Sequence, residues 1–173
     1  MTSNDKSIQQ KLRKIHPNWE NQIKKIKLNK LLKAKIIFPV RHSRWVSNLV
    51  PLRKKNGDIH ICIDFANFNK ASQKDNFLLP TMEQILRSVV GSKLMSFLDG
   101  FSWYSQIMVH LDNRLKTTFK TKWGTYAYQK MPFDLINAGA TFQRAMDIAF
   151  KGLLNKKFIF LSRWYYCLFE EQK

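Results

Sequence analysis

The chain has 173 residues, with 30 Lys and Arg against 12 Asp and Glu, a formal net charge of +18. Hydrophobic residues at 45% and aromatics at 13%, with 13 Phe, supply enough apolar mass for a core, which excludes global disorder and bounds the chain to one ordinary domain or part of a larger one. Residues 1–60 hold fifteen Lys and Arg against three acids, a net +12, and residues 61–173 hold fifteen against nine, a net +6, so the basic excess is concentrated toward the N-terminus.

The first fifteen residues or so are polar and read as loose. From Trp19 the positions Ile23, Ile26, Lys30 (through its aliphatic stem), Leu31 and Ala34 recur at helical spacing and predict an amphipathic basic helix that stops before Pro39. Lys24, Lys25, Lys27 and Lys33 fall on its other face. A hairpin follows: Val46 to Arg53, the turn pair Asn56-Gly57, then Ile59 to Phe65 with Ile59, Ile61, Ile63 and Phe65 alternating on one face. Thr81 with Gln84 forms a capping box for a helix whose Met82, Ile85, Leu86, Val89 and Val90 make one stripe, closed by Gly91.

Leu94 to Leu98 reads as a short strand that delivers Asp99 at its end. Further strands are expected at Ile107 to Val109, Thr117 to Lys120 and Thr125 to Tyr128. Asn137 then caps a helix with Phe142, Ala145, Met146, Ala149 and Leu153 inward. Strands and helices out of βαβ register predict an α+β fold rather than a doubly wound one.

Cys62 and Cys167 form no C-x-x-C pattern, which argues against a disulfide framework or a zinc site and fits a reducing compartment. His16, His42, His60 and His110 lack ligand spacing and read as surface or structural side chains. The longest apolar stretch, Phe158 to Phe169, is broken by Ser162 and Arg163 and falls short of the ~20 residues that span a bilayer. A soluble, intracellular protein with no membrane partner is therefore expected.

Asp99 ends an apolar strand and precedes Gly100, a place where a carboxylate either closes a turn or projects from a sheet edge. Four segments supply the context: LVPLRKKNGDIHICIDFANFN from Leu49 to Asn69, LLPTMEQILR from Leu78 to Arg87, VGSKLMSFLDGFSWYSQIMVH from Val90 to His110, and MPFDLINAGATFQRAMD from Met131 to Asp147. In order, they resemble the reverse transcriptase of gypsy-type long-terminal-repeat retrotransposons, most like those of plants.

That resemblance implies the fingers and partial palm of a right-hand polymerase, with an antiparallel palm sheet packed on helices. Fingers would occupy about 19–76 and 110–137, palm about 77–109 and 138–160, and an aberrant tail 161–173, without thumb, connection or RNase H regions. In such enzymes one Asp from an LDG-type motif and two from a Tyr-x-Asp-Asp hairpin hold two magnesium ions, which align the primer hydroxyl with the nucleotide phosphate. Asp99 matches the first metal ligand and Gly100 its neighbour. Tyr104 matches the aromatic gate under the sugar and Phe133 the nucleotide pocket. Lys54 and Lys55 lie where lysines meet the β- and γ-phosphates, and Gln143 and Arg144 match the following helix near the template. The implied partner is an RNA or DNA template-primer, with association to other retroelement polypeptides.

The departures carry equal weight. His60 and Ala66 stand where the family has Arg, and a neutral His cannot replace a bidentate guanidinium. Asp134 replaces the Gly of the MPFGL-type motif, where a side chain is expected to misfit, and Trp103 stands where a small residue is expected beside Tyr104. The Tyr-x-Asp-Asp motif is missing. After Phe160 the chain reads Leu161-Ser162-Arg163-Trp164-Tyr165-Tyr166-Cys167-Leu168-Phe169, with no acid before Glu170. One carboxylate cannot anchor two dications, so Asp99 without partners is expected to bind Mg2+ weakly.

A frameshift would account for part of the loss, since the neighbouring frame restores a motif of the Tyr-x-Asp type with Gly in place of the second Asp. Codons CTA, TCT, AGA, TGG, TAT, TAT, TGT, CTA and TTC from Leu161 onward, read from the second base, give Tyr-Leu-Asp-Gly-Ile-Ile-Val-Tyr-Ser. The chain thus reads as a catalytically inactive reverse-transcriptase derivative that keeps nucleic-acid binding. Beside it stand an active polymerase subunit completed in trans and a non-functional product whose Trp164, Tyr165, Tyr166, Leu168 and Phe169 form an exposed sticky strand.

Overall fold

The structure is a computed structural model that describes residues 7–90, 94–98, 104–151, 158–160 and 165–169. The chain divides into two compact units, Met1–Gln73 with Tyr104–Ile136, and Lys74–Trp103 with Asn137–Lys173.

The first unit opens with the basic helical segment, but its turns are not uniform. A short helix α1 (Pro17–Asn21) passes into π-helical turns over Gln22–Leu28 and then into α2 (Asn29–Lys33). His16 Nδ1 caps the start by accepting the Asn18 amide at 3.3 Å, and Pro17 sits at the first helical position, where a missing N–H costs nothing. In the wide turns the Asn29 amide reaches back five residues to the Lys24 carbonyl. That extra residue per turn brings Ile23 and Leu28 to the core and leaves Lys30 and Ala34, expected inward, exposed. The side chain of Ile26 lies outside the described residues. The helix ends as expected before Pro39, in a Schellman-type turn: Ile36 donates to the Leu31 carbonyl at 2.9 Å, with Lys35 at φ 52° where glycine is usual.

Five strands follow in one sheet: β1 (Ile37–Pro39), β2 (Ser47–Arg53), β3 (Ile59–Ile63), β5 (Phe119–Thr121) and β6 (Gly124–Tyr128), with β4 (Leu94–Leu98) belonging to the other unit. Their order is β1-β6-β5-β2-β3. All neighbours are antiparallel except β2 and β5, where Ser47 and Asn48 run parallel to Phe119 and Lys120. The β2–β3 hairpin is as predicted in its strands but not in its turn. Arg53 pairs with Ile59, Gly57 donates to the Lys54 carbonyl at 3.0 Å, and Gly57 has φ 86°. Asn56-Gly57 are thus the last two residues of a three-residue loop closed by a glycine bulge, rather than a two-residue turn.

Residues Ile8 to Lys11, expected to be loose, are held along β2. Gln10 donates to the Val46 carbonyl at 2.8 Å and Asn48 Nδ2 donates to the Lys11 carbonyl at 2.6 Å. Between the helix and the sheet lies the core, with Ile23, Leu28, Ile37, Leu49, Phe65 and Phe119 each at most 2% exposed. Burying each such side chain contributes about 1.5–3 kcal/mol against its exposed state. Of the expected strand at Ile107 to Val109 only an isolated bridge forms, from Met108 to Lys130. Thr117 belongs to a 3-10 turn (Leu115–Thr117) following α5 (Leu111–Arg114), so β5 starts two residues later than predicted. A short α3 (Ala66–Ala71) completes this unit.

In the second unit, α4 (Met82–Val89) begins with the predicted capping box: Thr81 Oγ1 accepts the Gln84 amide at 3.3 Å and Gln84 Oε1 accepts the Thr81 amide at 2.9 Å. Its expected inward stripe is not buried, since Met82 and Leu86 are half exposed and Val90 is 81% exposed. Periodicity fixes which residues share a face, not what covers that face. Gly91 and the side chains of Ile85 and Val89 lie outside the described residues.

Helix α6 (Ala138–Ala149) buries Ala138, Ala140, Phe142 and Gln143. Ala145 and Met146 are half-buried, Ala149 is exposed, and Leu153 lies outside the described residues. Asn137 stands at its N-cap without a side-chain cap bond, because its Oδ1 accepts the Asp75 amide at 2.9 Å instead. The second sheet contains β4 (Leu94–Leu98), β7 (Phe158–Phe160) and β8 (Tyr165–Phe169) in the order β4-β8-β7, all antiparallel. The segment expected as an exposed strand is paired on both backbone edges: Tyr165–Phe169 is the central strand of this sheet, and the exposure of its side chains lies outside the described residues.

Candidate functional site

Strand β4 ends at Leu98, which pairs with Tyr165, the first residue of β8, and Phe160 at the end of β7 pairs with the same Tyr165. The backbone thus runs an antiparallel β7–β8 pair with β4 on the other side of β8, and Leu98 and Phe160 share Tyr165 as their register partner. Asp99 and Gly100 lie outside the described residues. From Ile148 to Phe169 the chain has no carboxylate.

Among the described residues no group of three His, Cys, Asp or Glu is placed to hold a metal ion. Magnesium requires converging hard oxygen ligands, and the stretch Leu161-Ser162-Arg163-Trp164 carries no carboxylate.

The remaining predicted residues fall in separate groups. Lys54 and Lys55 are exposed in the β2–β3 loop, and His60 is exposed on β3 opposite Leu52. The three share one hairpin end. Tyr104 and Phe133 meet ring to ring, with centroids 4.8 Å apart and planes tilted by 55°, and Phe133 is 58% exposed. Gln143 is buried on α6. Its Nε2 donates to Asp147 Oδ1 at 3.1 Å, while Oε1 is a buried acceptor without a partner. Arg144 is held in its own unit by Asp75, at 3.0 and 3.1 Å to the two carboxylate oxygens, and lies 4.7 Å from the Phe77 ring centre. The Phe77 amide, then the Arg144 guanidinium, hold the Asp75 carboxyl below its ordinary range.

Asp134 adopts φ 71°, the left-handed region in which glycine is unstrained. The misfit expected from replacing a glycine thus sits on a backbone of the glycine type. No local signal marks the residue that secures this loop: Asn69 Nδ2 donates to the Asp134 carbonyl at 2.7 Å and its Oδ1 accepts the Ile136 amide at 3.0 Å. Burial, then the Asp134 carboxylate, push the Cys62 thiol above its ordinary value. Burial, then Cys62 and Asp134, also raise the Tyr128 hydroxyl.

Asp134→Gly is expected to stabilise the chain by about 0.5–1 kcal/mol through relief of backbone strain. Removing that carboxylate also lowers the Cys62 pKa, so the thiolate fraction rises and alkylation of the Cys62 peptide, followed by mass spectrometry, accelerates at a fixed pH. An unchanged alkylation rate would contradict the electrostatic link.

No family model matches the chain. The Pol polyprotein from transposon 297 of Drosophila melanogaster is 33% identical over 137 residues, spanning 79% of this chain and 13% of that protein. The Pol polyprotein from transposon gypsy of the same organism is 33% identical over 135 residues, spanning 75% of this chain and 13% of that protein. The chain is a homologue of retrotransposon Pol polyproteins. It spans about an eighth of the length of these Pol relatives. Among solved structures, the native prototype foamy virus protease-reverse transcriptase superposes with a TM-score of 0.86 at 19% identity, covering 98% of this chain and 22% of that one. The foamy viral protein in complex with an RNA/DNA hybrid gives a TM-score of 0.81 at 17% identity over 94% of this chain and 21% of that one. The Pol-type chain therefore has an α+β fold found within a reverse transcriptase. No helix among the described residues is long and apolar enough to cross a membrane.

Proposed function

We propose that this Pol-type chain is a reverse-transcriptase-like segment that binds nucleic acid through its basic first unit and does not transfer nucleotides by itself. The observation that carries the reading is the acid-free sequence from Ile148 to Phe169, which includes the stretch between β7 and β8 where the resemblance calls for two carboxylates. Without them the charge developing on attacking and leaving oxygens has no pair of cations to neutralise it.

Binding does not require those ligands. The net +12 of residues 1–60 favours phosphates by counterion release, and the related foamy viral protein is described in complex with an RNA/DNA hybrid. In this reading Lys54, Lys55 and His60 meet phosphates at the hairpin end, while the Tyr104–Phe133 pair offers an aromatic surface to a base or sugar.

The test is filter binding of a labelled primer-template across a salt series. Log affinity is expected to fall linearly with log salt, with a slope of about −0.9 per phosphate neutralised on duplex. A flat line would contradict electrostatic binding.

A further inference from the structure

The first unit contains an open groove of about 890 Å3 that the hairpin end does not line. Its charged lining is Arg41 and Arg44 from the segment leading into β2, Lys116 from the 3-10 turn after α5, Lys120 from β5, and a single carboxylate, Asp112; His42 adds a titratable group. Four cations against one anion leave a net +3 with His42 neutral. Asp112 lies 3.5 Å from His110, and Lys116 Nζ donates to Asn113 Oδ1 at 2.6 Å. Among the described residues no carboxylate pairs with Arg41, Arg44 or Lys120.

The cations stand on a fixed floor. Ser43 Oγ donates to the Leu115 carbonyl at 2.7 Å and accepts the Trp45 amide at 3.1 Å. Gln9 Nε2 donates to the Ser43 carbonyl at 3.0 Å, and Thr118 Oγ1 donates to the Leu115 carbonyl at 2.5 Å. Three chain segments are thereby tied together under a surface of unpaired positive charge. Holding like charges together costs free energy that an anion recovers on binding.

The shape and chemistry select the anion. Cations spread along an open groove suit a row of phosphates rather than one buried carboxylate. Trp45, the aromatic residue in the lining, is only 9% exposed and so offers no platform on which a base could stack. Contacts to phosphate position a strand without reading its sequence.

We propose that this groove is a track for the phosphodiester backbone of a single nucleic-acid strand, formed by Arg41, Arg44, Lys116 and Lys120 and separate from the Lys54–Lys55 hairpin end. The proposal rests on the nucleic-acid-binding reading above and assigns it a location.

The test is fluorescence anisotropy of labelled oligo-dT and oligo-U with the full chain, over a salt series, for the unaltered protein, Arg44→Glu/Lys120→Glu, Arg44→Gln/Lys120→Gln and Lys54→Glu/Lys55→Glu. The Arg44/Lys120 charge reversal is expected to weaken both oligonucleotides about tenfold or more, and the neutral pair is expected to flatten the salt slope by about 1.4, at ~0.7 per phosphate on a single strand. The neutral pair keeps side-chain bulk, so its effect reads charge even if the reversal perturbs folding. Combining the groove and hairpin changes is expected to add their effects. If the unaltered chain binds and both groove variants match it in affinity and slope, the groove assignment is overturned while the binding reading stands. If the unaltered chain binds neither oligonucleotide at any salt, both fall.

Discussion

Phe119→Ala is expected to remove about 3–5 kcal/mol of stability, the range for truncating a fully buried phenylalanine. Phe119 is 0% exposed, lies opposite Tyr126 in the β5–β6 pair and beside Ser47 in the parallel β2–β5 pair, and its ring centre is 5.9 and 5.5 Å from those of Tyr126 and Tyr128. It therefore sits where the two halves of the first sheet meet, in the core cluster that also contains Ile23 and Leu28. Alanine there loses the transferred surface and leaves a cavity that strands pinned by ladder bonds cannot close. Small domains hold about 5–15 kcal/mol in total, so the substitution consumes a large share of it. Denaturant unfolding followed by far-ultraviolet circular dichroism measures the loss, and a decrease below ~1 kcal/mol would show that the core does not close around this ring.

Thr117→Val is expected to cost about 1–3 kcal/mol without any change in volume. Thr117 is 1% exposed, and its Oγ1 both donates to the Arg114 carbonyl at 2.7 Å and accepts the Tyr128 amide at 3.0 Å. Valine fills the same space but strands a buried amide, and it is the unsatisfied group that carries the cost. Thr117→Ser, which keeps the hydroxyl, is expected to recover most of the loss. Equal destabilisation by serine and valine would assign the effect to packing instead.

The parts of the fold governed by short-range chemistry were legible in the sequence. Thr81 and Gln84 form the predicted reciprocal cap, and Ile59 and Ile63 are buried on the alternating face of the hairpin. What escaped depends on partners distant in sequence or on shifts in period. The π-helical turns exchange Lys30 and Ala34 for Leu28 because one added residue per turn rotates the face, and 3.6-residue spacing cannot show that. The parallel pairing of Ser47 with Phe119 leaves no local signal. Nor does Asn137 reveal, from its place before a helix, that its side chain serves Asp75.

For the site, Asp134 was legible as a misplaced side chain, and its positive φ bears out the physical reason. Asn69, which fastens that loop from 65 and 67 residues away, was not. The tail shows the limit most plainly. A sheet short of its last strand was expected to leave this segment unpaired, yet Tyr165–Phe169 lies between two neighbours, because pairing depends on backbone groups that the side-chain sequence does not specify.

The most direct measurement is primer extension by the purified chain with magnesium or manganese, run beside Asp99→Asn. The predicted result is no template-dependent incorporation by either protein, while both retain the same affinity for the primer-template. Incorporation by the unaltered chain that disappears in Asp99→Asn would contradict the account.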